Sequence, residues 1–333
     1  MKRKFIIAAC CLAGLALLFP ALYLTSCYSH GEETAYVYIA DTATQASVKQ
    51  SLAEAGVRTC GFSLLSKVVE YRVRAGRYAV KSGDNLLTVF RRLRNGQQEP
   101  VNLTIPPVRT LPQLAAYLGK HLMMDSATVA RAWADGYATN SHRYSKQTLP
   151  VLFVPNTYQV YWNVSIDDLM NRMQREHDAF WTEEREAKAK AMGFTHEQVA
   201  TLASIVDEET ANNAEKPMIA GMYIKRLSVG MPLQADPTVK FALGDFALRR
   251  IYQKHLTVDS PYNTYRQAGL PPGPIRIASI VGIDAVLNYV HHDFLFMCAK
   301  EDFSGTHNFA HTYQEHLQNA RKYTQALNER KIK

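Results

Sequence analysis

The chain has 333 residues, of which 47% are hydrophobic and 20% charged, and it carries a formal net charge of +8. This is ordinary globular usage, with enough apolar material for a core in each of two domains, and it excludes an intrinsically disordered or low-complexity protein. Setting aside Lys2, Arg3 and Lys4 leaves about +5 on the remainder, a mild excess that suits an anionic polymer or lipid headgroups.

Met1-Lys-Arg-Lys4 precedes an uncharged run from Phe5 to Leu24, twenty residues, long enough to cross a bilayer core as a helix. The basic flank then stays in the cytoplasm and everything after Ser29 lies outside it. That makes the chain a single-pass protein of the inner membrane with its bulk on the periplasmic side, where nucleic acid is out of reach. Leu24-Thr-Ser-Cys27 also resembles a lipoprotein processing box, which would leave Cys27 as a lipidated anchor. The apolar run exceeds the roughly 7 to 15 residues of a signal core, which favours an uncleaved anchor; both readings tether the same domain. Cys10 and Cys11 sit in the run, leaving Cys60 and Cys298 for the rest, which is no disulfide framework, and whether those two pair stays open.

Ala35 to Ile39 alternates as a strand, Thr44 to Ala55 has the spacing of a short helix, and Tyr71 to Val73 reads as another strand. Gly76 to Leu86 gives a strand, a Ser82-Gly-Asp84 turn and a helix start, with Leu86, Leu87, Phe90 and Leu93 as its buried side. The Tyr78-Ala-Val-Lys-Ser-Gly-Asp84 stretch resembles a LysM module, which implies a groove for N-acetylglucosamine chains. The alternative is a strand-turn-helix of a small domain with no sugar groove. From Val101 the pattern changes to helices: Leu111 to Leu122, Ser126 to Trp133, and Ile166 to about Met192, the last with the alternating charge of a solvated face. The organisation expected is α+β: a cytoplasmic stub and transmembrane helix over 1–28, a LysM-like domain over 35–100, and a larger mixed helix/strand catalytic domain over 101–333.

Chemistry concentrates in Leu202-Ala-Ser-Ile-Val-Asp-Glu-Glu-Thr210. Thr195 and Gln198 form a capping-box pattern at the start of this helix, and Val199, Leu202, Ala203 and Val206 mark an apolar stripe. At about 100° per residue, Glu209 falls roughly 50° from the stripe's centre, Asp207 near its far edge and Glu208 almost opposite. Glu209 is therefore the half-buried acid and Glu208 is expected in solvent. Desolvation raises a carboxyl pKa, so Glu209 is suited to hold a proton near neutrality; the competing reading is a structural Glu paired with a buried Arg or capping a neighbour. Glu215 to Arg226 then forms a helix whose Met218, Ile219, Met222 and Tyr223 read as core packing. Thr312 to Arg330 is a basic amphipathic closing helix. His291-His292 and the set His307, His311 and His316 raise the question of a metal. Gly305 and Asn308 oppose a helix before about residue 309, and His-Glu-x-x-His is absent, so no metal and no cofactor are expected.

Three turn-rich clusters follow the acidic helix: Leu233-Gln-Ala-Asp-Pro-Thr238, Tyr262-Asn-Thr-Tyr265 and Gly269-Leu-Pro-Pro-Gly273. Rigid Pro and Gly hold such loops still, as the wall of a cleft requires. In this order, with the acidic helix before them and with Phe153-Val-Pro-Asn-Thr-Tyr158 and His307-Asn-Phe309 on either side, these motifs resemble the endolytic murein transglycosylases, the YceG-like proteins, over about residues 75 to 325. The resemblance implies that Glu209, the Glu immediately before the Thr, is the catalytic acid. Asp207 stands where many members carry Glu, and its role stays open. Around Glu209 the expected substrate-binding residues are Gln234, Asp236, Thr238, Tyr262, Asn263, Tyr265, His307 and Asn308. Turn capping is the alternative for Asp236 and Asn263, core packing for the two tyrosines, and an ordinary loop for His307 and Asn308.

The implied substrate is the peptidoglycan glycan strand, and the implied partners are peptidoglycan synthases. A lytic transglycosylase needs one acid, whereas ordinary glycosidases flank the bond with two. Two other functions remain in view: a wall-binding scaffold in which the carboxylates are structural, and a hydrolytic muramidase with Asp207 or Asp236 as the second acid.

Overall fold

The computed structural model describes residues 33–59, 61–248 and 250–330. The expected membrane run, the stub, Cys27 and Cys60 lie outside the described residues, among which no helix is long and apolar enough to cross a membrane. Twelve α-helices and four two-stranded sheets are found among them, an α+β architecture, and the chain divides into two compact units.

The first unit runs to Leu103 and is completed by Lys120–Met124 and Tyr158–Ser165. In β1 (Ala35–Ile39) the alternation holds: Val37 and Ile39 are buried, while Tyr36 and Tyr38 face out. Thr44 caps α1 (Gln45–Glu54) in a capping box with Ser47, and α2 (Phe62–Val68) follows. Residues 71–73 form no strand; Tyr71 instead turns its ring into the core against Phe62 and Phe90, at centroid distances of 5.7 and 5.3 Å. Burial of one large ring outweighs a short β propensity. β2 (Gly76–Val80) pairs antiparallel with β1. Asn85 caps α3 (Leu86–Asn95), which ends at Gly96 in the left-handed conformation. Its buried face is Leu86, Val89, Phe90 and Leu93, an i, i+3, i+4, i+7 set that leaves Leu87 only half-buried. β3 (Val101–Thr104) follows.

Next in the chain come α4 (Leu111–His121), α5 (Ser126–Ala132), a ribbon of β4 (Tyr137–Ala138) with β5 (Arg143–Tyr144), and β6 (Thr157–Val160), which pairs with β3. The single helix expected from Ile166 to Met192 is two, α6 (Ile166–Phe180) and α7 (Glu183–Met192). Trp181 interrupts it by burying its ring and donating from its indole nitrogen to His177 at 3.1 Å; Thr182 then caps the new helix.

The second unit centres on α8 (His196–Glu209), which begins at the Thr195/Gln198 capping box. All residues from Val199 to Val206 are buried, so α8 is covered on every side rather than along one stripe. α9 (Lys216–Ser228), α10 (Asp236–Leu243) and α11 (Ile280–Leu287) pack against it. Leu202, Ile205, Val206, Ile219, Tyr223 and Val286 join in one core, each apolar side chain contributing about 1.5–3 kcal/mol by leaving water. The hairpin of β7 (Phe296–Ala299) and β8 (His307–Ala310) carries α12 (Tyr313–Glu329) on it.

Candidate active site

Three consecutive carboxylates leave the end of α8 about 100° apart, and each meets a different neighbour. Asp207 is locked: its side chain is 2% exposed, and it accepts from the Lys216 ammonium at 2.7 Å, the Ser279 amide at 2.7 Å and the Ser279 hydroxyl at 2.8 Å. It thereby joins α8, α9 and the start of α11. Gly282 permits that approach, since a Cβ there would lie 2.6 Å from the Asp207 carboxylate. Glu208, expected in solvent, is 13% exposed and bridges two arginines, Arg109 at 2.8 Å and Arg276 at 2.9 Å. Those arginines arrive from segments 99 and 68 residues away in the chain, which no helical wheel can anticipate.

Glu209 has neither kind of partner. Its Oε1 accepts a 2.6 Å bond from the Tyr223 hydroxyl on α9, and Tyr223 is itself 2% exposed. Burial pushes the Glu209 carboxyl up to about 7, and the charge of Asp236 adds to that; the Tyr223 bond, His307 and Arg226 act in the opposite direction. Burial also raises the Tyr223 hydroxyl well above its usual value, so it stays a donor. Arg226, whose charge also acts on Glu209, is turned to the backbone: its guanidinium donates to the carbonyls of Leu295 at 2.6 Å and Pro232 at 3.3 Å and also to that of Leu233. Glu209 is thus a carboxylic acid held by a neutral donor, suited to exchange one proton near neutrality.

Two further pairs bear on it electrostatically. Tyr265 donates to Asp236 at 2.6 Å, and both influence titration in this cluster. His307, at the start of β8, is gripped by Glu215 through its amide at 2.6 Å and its Nδ1 at 2.9 Å, which leaves Nε2 on the side of the ring away from Glu215.

Of the residues expected to bind substrate, Asp236, Tyr265 and His307 gather with Glu209. Gln234 is exposed in the loop before α10 and sits at φ +52, a left-handed conformation rare for a side-chain-bearing residue, tied by its amide to the Thr264 carbonyl at 3.0 Å. Thr238 and Asn263 are both 0% exposed. Thr238 bonds the Ala235 carbonyl and the Thr264 hydroxyl, while Asn263 bonds the carbonyls of Leu256 and Val258 and the amide of Tyr265. Both hold the loops from within. Tyr262 is half-buried and packs its ring on Phe241 at 4.7 Å against the core. Asn308 leaves the group: strand alternation turns it from His307, and it donates to Glu301 at 2.8 Å. Gly273 fits where a Cβ would strike the Gln147 carbonyl at 2.2 Å, a packing reason for the last Gly of its motif.

Tyr223, Arg226 and Glu215 belong to the cluster but were not among the residues expected there. Tyr223 lies on the stripe read as core packing, and its hydroxyl was the signal, because a phenol in a core needs a partner. Among the described residues no group of three or more His, Cys, Asp and Glu side chains is placed to hold a metal ion; Cys298 is a free thiol.

Fold and site together define an α+β protein built around one proton-holding carboxyl at the end of a buried helix. Residues 37–322 match the YceG-like family, and the chain belongs to that family. It is similar to the endolytic murein transglycosylase of Bacillus subtilis (strain 168), with 29% identity over 273 residues covering 77% of this chain and 75% of that protein. A protein of the same name from Streptococcus pneumoniae serotype 2 (strain D39) is 26% identical over 293 residues, covering 79% of this chain and 53% of the relative, so the chain spans about half of that protein's length. The crystal structure of a yceG-like protein from Listeria monocytogenes aligns with a TM-score of 0.53 at 25% identity, over 86% of this chain and 99% of that one.

Proposed function

We propose that the protein is a peptidoglycan lytic transglycosylase that cuts within nascent glycan strands, with Glu209 as its single general acid and base. The observation that carries this reading is the state of the three carboxylates: Asp207 and Glu208 are tied up in ion pairs, while Glu209 keeps a proton to about neutrality beside a hydroxyl donor. Glu209 protonates the oxygen between N-acetylmuramic acid and N-acetylglucosamine, and the C1–O bond breaks through an oxocarbenium-like centre. The muramic 6-hydroxyl closes on C1 and returns its proton to Glu209, leaving a 1,6-anhydro end with no water consumed. Tyr223 holds the carboxyl in place, and Gln234, Asp236, Tyr265 and His307 orient sugars around it. The relatives' names, which speak of murein transglycosylases, agree with this chemistry.

The experiment is digestion of purified glycan strands in ¹⁸O-labelled water, read by mass spectrometry. Anhydro ends without label support the proposal, and Glu209→Gln lowers their yield by roughly 10²- to 10⁴-fold. Label at a reducing end supports a hydrolytic muramidase instead, a second reading that Asp236 favours because it is exposed and acts on Glu209. Strands bound but never cut support a wall-binding scaffold. The tether belongs to the same reading: residues 5–24 anchor the chain in the inner membrane, the domain over 101–333 works outside the cytoplasm beside the peptidoglycan synthases, and the LysM-like region over 35–100 serves it.

A further inference from the structure

The alternation that buries Val37 and Ile39 sends Tyr36 and Tyr38 to the other face of the first unit's sheet, where they are 39% and 49% exposed. That face is the wall of a groove of about 630 Å³, the size of ligand-binding clefts generally. Trp162 forms a corner with Tyr38, ring centroids 5.1 Å apart and planes at 71°, and the Trp162 carbonyl accepts from the Met123 amide at 2.8 Å, which brings the end of α4 to the groove. Its charged lining is Arg77 and Lys120 against the single acid Glu99. The Arg77 guanidinium sits over Tyr36, 3.5 Å from the ring centroid, and donates to the Pro100 carbonyl at 2.6 Å, while Glu99 is engaged by Lys81 at 3.1 Å. The groove therefore combines exposed ring faces with an excess of positive charge, and it lies on the face of the sheet opposite to Val37 and Ile39.

We infer that this groove binds a stem-peptide-bearing glycan strand, with pyranose C–H faces on Tyr38 and Trp162 and peptide carboxylates on Lys120 and Arg77. The inference rests on wall glycan being the substrate. Ring faces alone suit any sugar chain, whereas the cations select one that carries carboxylates. A single-stranded nucleic acid has the same two features, and the test separates it.

The full chain carrying Glu209→Gln is titrated with uncross-linked strands bearing stem peptides, with the same strands stripped of peptides by an amidase, and with an oligonucleotide. Tyr38→Ala is expected to raise Kd for both strand types roughly 3- to 10-fold, the loss of one ring contact. Lys120→Glu is expected to raise it for peptide-bearing strands alone. With Glu209 restored, Tyr38→Ala leaves turnover of a short tetrasaccharide unchanged. Equal Kd values for parent and variants on every strand overturn the inference, and so does an oligonucleotide that binds as tightly as the peptide-bearing strand. Cleavage is read separately, so strand binding lost in the variants while the parent never cuts upholds the groove and refutes the enzymatic reading alone.

Discussion

At the scale of single residues the protonation of Glu209 bears on stability and, in the proposed reaction, on activity. The acid must begin protonated, so cleavage is expected to fall as pH rises through about 7. Tyr223 favours the charged form, and Tyr223→Phe is expected to move that alkaline limb to higher pH while lowering kcat about 10-fold, both read from one pH–rate profile. Stability follows the same proton. The folded-state pKa is raised from 4.5 to about 7, so this contribution is full below about 4.5 and is lost as pH rises through 7. Glu209→Gln is thus expected to match the parent in thermal melts at pH 4 and to exceed it at pH 8 by up to about 3 kcal/mol. Gln234 offers a different separation, since its φ of +52 suits glycine. Gln234→Gly is expected to hold or raise stability by about 0.5 kcal/mol, and cleavage falls only if the side chain itself meets sugar.

Among elements, α8 is decisive because its last turn is fastened by ion pairs on two sides before Glu209 is reached. Asp207→Asn leaves the Lys216 ammonium, 8% exposed, without its counter-charge, and is expected to cost about 3–5 kcal/mol in chemical denaturation. Pairing it with Lys216→Met is expected to recover most of that loss, because a well-packed apolar pair replaces the ion pair at little cost. Asp207 ties α8 to α9 and to the start of α11, which suits a residue that positions this helix. The helix's start and its cap were legible in the sequence, because the Thr195/Gln198 box depends on neighbours three positions apart. The break at Trp181 was not legible, because helix propensity runs through it and only the buried ring and its bond to His177 divide α6 from α7.

For the whole molecule, the expected anchor makes a prediction about the intact chain: it should sediment with membranes, resist extraction by high salt and carbonate, and be released by detergent. Cys27→Ala is expected to leave that behaviour unchanged if the uncharged run is an uncleaved helix, and to release the protein if Cys27 is the attachment point.

The sequence by itself determined the mixed class of fold and most helix ends, and it singled out Glu209, because capping, periodicity and a motif's order are properties of adjacent residues. It also brought Asp236, Tyr265 and His307 into view. Tertiary structure decided what covers each face: Arg109 and Arg276 close over Glu208, Lys216 and Ser279 seize Asp207, Thr238 and Asn263 turn inward, and Asn308 turns away. These outcomes depend on partners tens of residues distant, whose meeting is set by packing around α8 and not by any local pattern.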